Sequence, residues 1–330
     1  MNPLLKSILS PSFGFAILRV MTPILFASIG VAITTLSGAV NISLEGTMLI
    51  SAFFGVIVSA FTKSLILGLI AGILAGVALS SILSYFHLKL KADIILAAIA
   101  LNLFASGLTV FLLYIFAKDK GTSSSLRSLV FPSIDIPILK DIPIVGEIFS
   151  GHNILTYVAL LSVLIFYILI FKTPLGLRIR AVGQNPDAAS SVGINVNKIK
   201  FYALILSGFF GALGGLYLSM GYVSWFARDM TAGRGFIAIA ASNLGANLPL
   251  GVFLASILFG ILNTIAIYLA SLQVPSEFIQ MIPYIATIIT LAIYSIQASR
   301  RKRKSWNVYK SRQPIFVNKR NFLKIGGVNC

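Results

Sequence analysis

The chain has 330 residues, of which 57% are hydrophobic and only 11% charged, with a mean hydropathy of +0.94. Soluble domains carry about 25% charged residues, so this composition excludes a pair of soluble domains and points to one polytopic membrane unit; a single cysteine, Cys330, excludes a disulfide scaffold. The net charge of +17 is unevenly placed: residues 298–330 hold ten Lys or Arg and no acid, which reads as a basic cytoplasmic tail beside anionic lipid and not as a nucleic-acid module.

A membrane helix needs about 20 mostly apolar residues. In chain order such stretches fall at 16–36, 43–62, 64–86, 94–117, 153–171, 199–220, 250–270 and 279–297. A shorter apolar piece, 234–247, lies between the sixth and seventh; at about 1.5 Å per residue it barely crosses the hydrocarbon core. The expected fold is all-α, a polytopic membrane bundle of about 8–10 spans, with the membrane domain at 15–297 and the tail at 298–330.

Basic residues in short loops set the orientation. With the tail inside and nine passes counted backwards, the inner segments hold Lys89, Lys91, Lys172, Arg178, Arg180, Lys198, Lys200 and the tail cations, 17 of the 26 basic residues. The longest outer loop, 118–152, mixes both signs, and the N-terminus falls outside. Spans one to four contain a break at SGAVNISLEG (37–46); the later spans contain one at MTAGRGF (230–236). With one odd span between them, 153–171, the halves point in opposite directions. Inverted repeats with interrupted helices are a transporter design.

The segment 172–200 is the one long polar stretch between spans on the inner side. Asn185 suits an N-cap, Pro186 the first helical position, and Asp187 the positive end of the helix dipole. Ala188, Ala189, Ser190, Ser191 and Val192 continue for two turns, and Gly193 can close the helix in a left-handed conformation. The product is a short helix of small side chains that another protein's surface can approach closely.

This loop resembles the coupling segment of type II ABC importer permeases, the group that serves branched-chain amino acids, ribose and nucleosides. GAVNISLEG (38–46) is similar to that family's Asn-Ile-x-x-Glu-Gly signature, and LSGFFGALGGLYLSMG (206–221) and GRGFIAIAASNLGANLPLG (233–251) are similar to its later spans. The likeness runs in order from about residue 20 to 297. The pairing of LEG with AVGQNP and AGRGF looks closest to the simple-sugar and nucleoside subgroup. The resemblance implies a second permease subunit, most simply a different one, and a cytoplasmic ABC ATPase whose groove holds the helix Asn185–Gly193. It also implies an extracellular substrate-binding lipoprotein, a bacterial cytoplasmic membrane, and no cofactor held by this chain, with ATP-Mg at the ATPase. The basic tail has no counterpart in the family, so no family role extends to it.

Other residues follow from position. Asn41, Glu45, Gly46, Gly233 and Arg234 mark the two half-helix breaks. Glu45 reads first as a carboxylate at a half-helix N-terminus, neutralised by free amides, and only second as a substrate contact. Asn102, about 13 Å along its helix from Asp93, and Asn243 and Asn263 have two readings: hydrogen-bonding groups of a pathway, or interhelical ties. Trp225 and Phe226 in the outer loop are an interface anchor or a gate-side stacking platform; Arg234 snorkels or pairs with Asp229. Gly208, Gly211, Gly214 and Gly215 are packing positions. His87 and His152 fall near opposite faces and make no metal pair.

No Gly-x-x-x-x-Gly-Lys-Ser/Thr phosphate loop occurs, so the chain is read as a transport subunit and not as an enzyme. The expected function is ATP-driven import of a nucleoside or simple sugar handed over by a binding protein. The alternatives are import of branched-chain amino acids by the same family and, less readily, an ion-coupled secondary transporter. The latter needs coupling-ion sites at midplane, and apart from Glu45 the span centres contain no acid.

Overall fold

The computed structural model describes residues 10–137 and 145–270. Four long helices come first: α1 (Pro11–Leu36), α2 (Leu44–Thr62), α3 (Leu65–Leu88) and α4 (Ile94–Ala117). An outer loop follows, in which strands β1 (Ser133–Ile134) and β2 (His152–Asn153) pair antiparallel around the one-turn helix α5 (Val145–Phe149). Then come α6 (Ile154–Lys172), α7 (Pro174–Gln184), α8 (Pro186–Ser191) and α9 (Val196–Tyr217), which runs into a π turn (Leu218–Tyr222). The described chain closes with α10 (Arg234–Leu244) and α11 (Pro249–Ala270).

Seven of these helices (α1 to α4, α6, α9 with its π turn, and α11) are long and apolar enough to cross a membrane. They coincide with the first seven expected stretches. The last expected span, 279–297, and the 298–330 tail lie outside the described residues. Ser64, Asp93, Asn153 and Asn195 cap α3, α4, α6 and α9, each side chain accepting a backbone N–H of the first turn.

Burial separates two layers. In α1 and α2, 78% of the most apolar window is buried, against 22% in α4. The core is built on α1, α2 and α9, with Met21, Leu25, Phe26, Phe53 and Leu216 among its closed side chains. Outside it, Leu96 and Leu103 of α4 are about 70% and 71% exposed. That apolar outer surface suits lipid, in which no hydrophobic force drives helices together and close backbone packing does the holding.

The halves are related as the inverted pattern requires. Helix α1 packs on α10 and α11, as α9 packs on α2 and α3. Both long pairs are antiparallel: Phe13 meets Tyr268 and Gly260 meets Met21 in one, while Gly208 meets Ser80 and Gly72 meets Leu216 in the other.

These contacts also sort the helix ends. Leu36 at the end of α1 touches Gly183 of α7, and Ser84 to Lys89 share a groove with Asn197 to Tyr202. Lys89, Lys91, Lys172, Arg178, Arg180, Lys198 and Lys200 therefore gather at one end of the bundle, which the positive-inside rule makes cytoplasmic. The start of α1 is at the other end, where Gly14 meets Ile148 and Phe15 stacks on His152. Helix α10, at 11 residues, is about 16 Å long, and the positive-φ residues Ala246 and Asn247 turn the chain into α11.

Candidate functional site

The helix expected over 185–193 is α8, and local chemistry builds it. The Asn185 side-chain oxygen accepts the N–H groups of Asp187 and Ala188 at 3.1 and 3.0 Å. Gly193, at φ +81°, lets the Ile194 N–H return to the Ala189 carbonyl at 3.0 Å, satisfying a carbonyl the helix end would otherwise strand. Pro186, Asp187, Ala188, Ser190 and Val192 are exposed, Val192 at 74%. Ala189 is the exception. Grouped in sequence with the docking residues, it is 4% exposed and belongs to the hydrophobic core, so it anchors α8 to its own protein and has no face left for another.

Helix α7, a polar stretch in the sequence reading, connects α8 to the membrane core. Thr173 caps it, and its buried Ile179 and Val182 join the core cluster. Its last turn brings Gly183 against the Leu36 carbonyl and the Gly38 N–H, so close that a Cβ at 183 would have no space. Gly38 has φ +75° and begins the first break. Backbone of the coupling segment thus rests directly on backbone of the break.

Three polar side chains hold that break. The Asn41 amide donates to Ser207 Oγ of α9 at 3.0 Å, and its oxygen accepts from the Ser43 N–H and hydroxyl. Asn102 of α4 donates to the Ile42 carbonyl at 3.1 Å and accepts the Gly46 N–H at 2.8 Å. Glu45 reaches across to the second break: Oε1 accepts the Gly233 N–H at 2.8 Å and Oε2 the Gly235 N–H at 2.7 Å. Glu45 stands in the first turn of its own helix, but the half-helix amides that its carboxylate accepts from are those of α10. Gly235 lies flush on the Glu45 backbone. The two breaks, 190 residues apart, are one clamp.

The pathway candidates fare differently. Both ends of the Asn102 amide are occupied by backbone groups, which makes it a tie. Asn263 donates to the Phe259 carbonyl within its own helix at 2.9 Å and stays partly exposed. Asn243 is partly exposed in the last turn of α10, its carbonyl accepting the Ala246 N–H. Trp225 is partly exposed under the Arg127 guanidinium, 5.7 Å from the ring centre. Phe226 corrects the sequence reading: it is fully buried, edge-on to Phe53 at 5.3 Å, and offers no face for stacking. Arg234 donates to the Met230 and Thr231 carbonyls at 3.2 and 3.1 Å, while Asp229 accepts from Arg228 and from Ser106.

His152, in strand β2, packs against α1, its ring 3.9 Å from that of Phe15 and its Nε2–H donating to the Ile148 carbonyl at 2.8 Å. Burial pushes its pKa below the ordinary value, and that hydrogen bond opposes the shift. No group of three or more metal-ligating side chains occurs among the described residues.

Two features escaped the sequence reading. Gly68, Gly72 and Gly76 form a small-residue stripe on α3 that receives α2 and α9; its four-residue spacing was visible in the sequence. The other is Arg19, in the apolar run of α1, its guanidinium carbon 4.0 Å from the centre of the Tyr222 ring. A cation inside a span is a signal in itself.

Residues 14–291 match the family described as branched-chain amino acid transport system / permease component. A nucleoside ABC transporter permease protein of Lactococcus lactis, NupC, is 35% identical over 302 residues, covering 88% of this chain and 94% of that protein. The guanosine ABC transporter permease protein NupQ of Bacillus subtilis is 34% identical over 282 residues, 82% of this chain and 87% of its own. A second nucleoside permease protein of Lactococcus lactis, NupB, is 32% identical over 134 residues, 40% of this chain and 37% of NupB.

Proposed function

The chain belongs to the family of branched-chain amino acid transport permease components, and from that premise we infer that it carries a nucleoside or simple sugar inward as the permease subunit of an ABC importer. The names of two relatives that cover most of the chain, NupC and NupQ, favour a nucleoside over a branched-chain amino acid. ATP is hydrolysed by a separate ABC ATPase, since the chain has no phosphate loop of its own. An extracellular binding lipoprotein delivers the substrate. The partner across the pathway is a second, different permease: two nucleoside permeases from one organism, NupC and NupB, both resemble this chain.

One observation carries the mechanism, the continuous backbone route from α8 to α10. Closure of the ATPase dimer displaces the exposed face of α8. Anchored by Ala189, the helix passes the displacement to α7 and, where Gly183 abuts Leu36 and Gly38, to the first break. Glu45 grips two amides of α10, so the half-helix moves with the break and the pathway exchanges outward for inward access. Rigid elements with two arrangements transmit such shifts with little loss. The basic 298–330 tail serves as a lipid-facing anchor.

Replacing Ala188 with Trp tests the docking face. Inserted, folded permease with normal ATP hydrolysis but little uptake is the expected result; normal uptake refutes the assignment. Uptake that survives collapse of ion gradients and is lost without the ATPase separates this mechanism from ion coupling.

A further inference from the structure

A cavity of about 290 Å³, at the lower end of small-molecule pockets, opens between α1, the π turn after α9, the start of α10 and the end of α11. Its walls include Arg19, Pro23, Tyr217, Tyr222, Arg234 and Ile267. Three of the contributing segments are irregular at membrane depth. Pro23 cannot donate to the Arg19 carbonyl one turn back, α9 ends in a π turn, and α10 begins after Gly233 at φ +76°. Irregular backbone is tolerated at that depth where it is buried in protein or lines a water-filled cavity, and π turns gather at functional sites.

The chemistry of the walls is one-sided. Two guanidinium groups and two phenols line the cavity, and no acid stands among the described residues that do so. Arg19 lies over the Tyr222 ring and is exposed. Contact with an aromatic ring engages the guanidinium face and leaves its in-plane N–H groups for acceptors. A cation so placed is costly and belongs to a pathway or a polar cavity.

We propose that Arg19, steadied by Tyr222, is a recognition residue of the translocation path that favours oxopurine nucleosides over adenosine; the assignment rests on the nucleoside reading above. Guanine and hypoxanthine carry O6 and N7 as adjacent acceptors on one edge, which the guanidinium fork meets with two parallel hydrogen bonds. Adenine has an amino donor where O6 would be, so one of those bonds is replaced by opposed donors. A simple sugar has no planar pair of acceptors.

The test uses the complete importer in proteoliposomes, with permease pair, ATPase and binding protein. The binding protein is saturated with radiolabelled guanosine or adenosine, so that differences arise at the permease. Wild type should turn over guanosine faster. Arg19→Lys keeps the charge without the planar fork, and Arg19→Gln removes the charge. Both should slow guanosine about tenfold, the scale of a lost bidentate pair, and adenosine less than about twofold. Tyr222→Leu should narrow the guanosine preference, and Tyr222→Phe should keep it. An equal loss for both nucleosides in the two Arg19 variants makes the residue merely structural and overturns the proposal, as does unchanged guanosine turnover. A wild-type importer that moves a simple sugar but neither nucleoside refutes the nucleoside reading itself, and this assignment with it.

Discussion

The coupling helix and the half-helix clamp are built on opposite plans. Helix α8 has six residues, its own cap at Asn185, its own stop at Gly193, and a single buried anchor. The clamp has no local logic: Glu45 is satisfied only by amides 188 and 190 residues further along the chain. A part that meets another protein must keep its shape while most of its surface is bare, so it relies on neighbours in sequence. A part that must move as the membrane core rearranges relies on contacts between distant segments, which stand or fall together.

Removing the grip of the clamp should have the largest effect. Glu45→Ala leaves two α10 amides without their acceptor; at about 1.5–3 kcal/mol for each charge-assisted bond, it should cost roughly 3 kcal/mol or more. The prediction is loss of uptake and a lower melting temperature of the purified permease, and a wild-type melting curve would break the contrast. Next comes the pair on α8. Ala189→Trp overpacks the core, at about 1–3 kcal/mol, and should lower permease stability; Ala188→Trp should leave stability unchanged and abolish coupling. If both behave alike in thermal melts, α8 is not anchored on one side. Asn185→Ala removes the cap, at about 1 kcal/mol. It should weaken ATPase association in a pull-down without changing the melting of the membrane core.

The smallest effect concerns the outer loop, which shares neither plan. Because the folded protein holds the His152 pKa below its ordinary 6.5, the unfolded chain binds more protons at mildly acidic pH. Stability is therefore full above 6.5 and falls as pH drops from there toward the lowered folded value. Melting temperatures measured between pH 7.5 and 5.5 should decline in wild type and decline less in His152→Phe. Equal slopes would show that another group sets the pH dependence.

How much of this was legible in the sequence follows the same division. Caps, stops and hydrophobic length act over a few residues, so α8 and seven spans could be read directly. The clamp could not: Glu45 announced a half-helix terminus, and only the folded chain shows which one. Ala188 and Ala189 are identical in type, and the rotation of one residue along a helix decides which is buried. Phe226 sits beside Trp225 in an interfacial sequence, yet composition says nothing about which ring turns inward. Arg19 was hidden by averaging, since one cation scarcely lowers the hydropathy of a 26-residue helix. Asn102 was ambiguous for a chemical reason, because an amide that can greet a ligand can equally bind a neighbour's backbone.

The brevity of α10 has a consequence for biogenesis. An 11-residue helix is too short to partition into lipid by itself, and its bare N-terminal amides would be stranded there. During synthesis it emerges long after α2, when the Glu45 carboxylate is already in place to receive it. Its entry is thus templated by earlier chain, and a permease lacking that acid should seat α10 more slowly during synthesis than wild type, even where the finished protein can be purified.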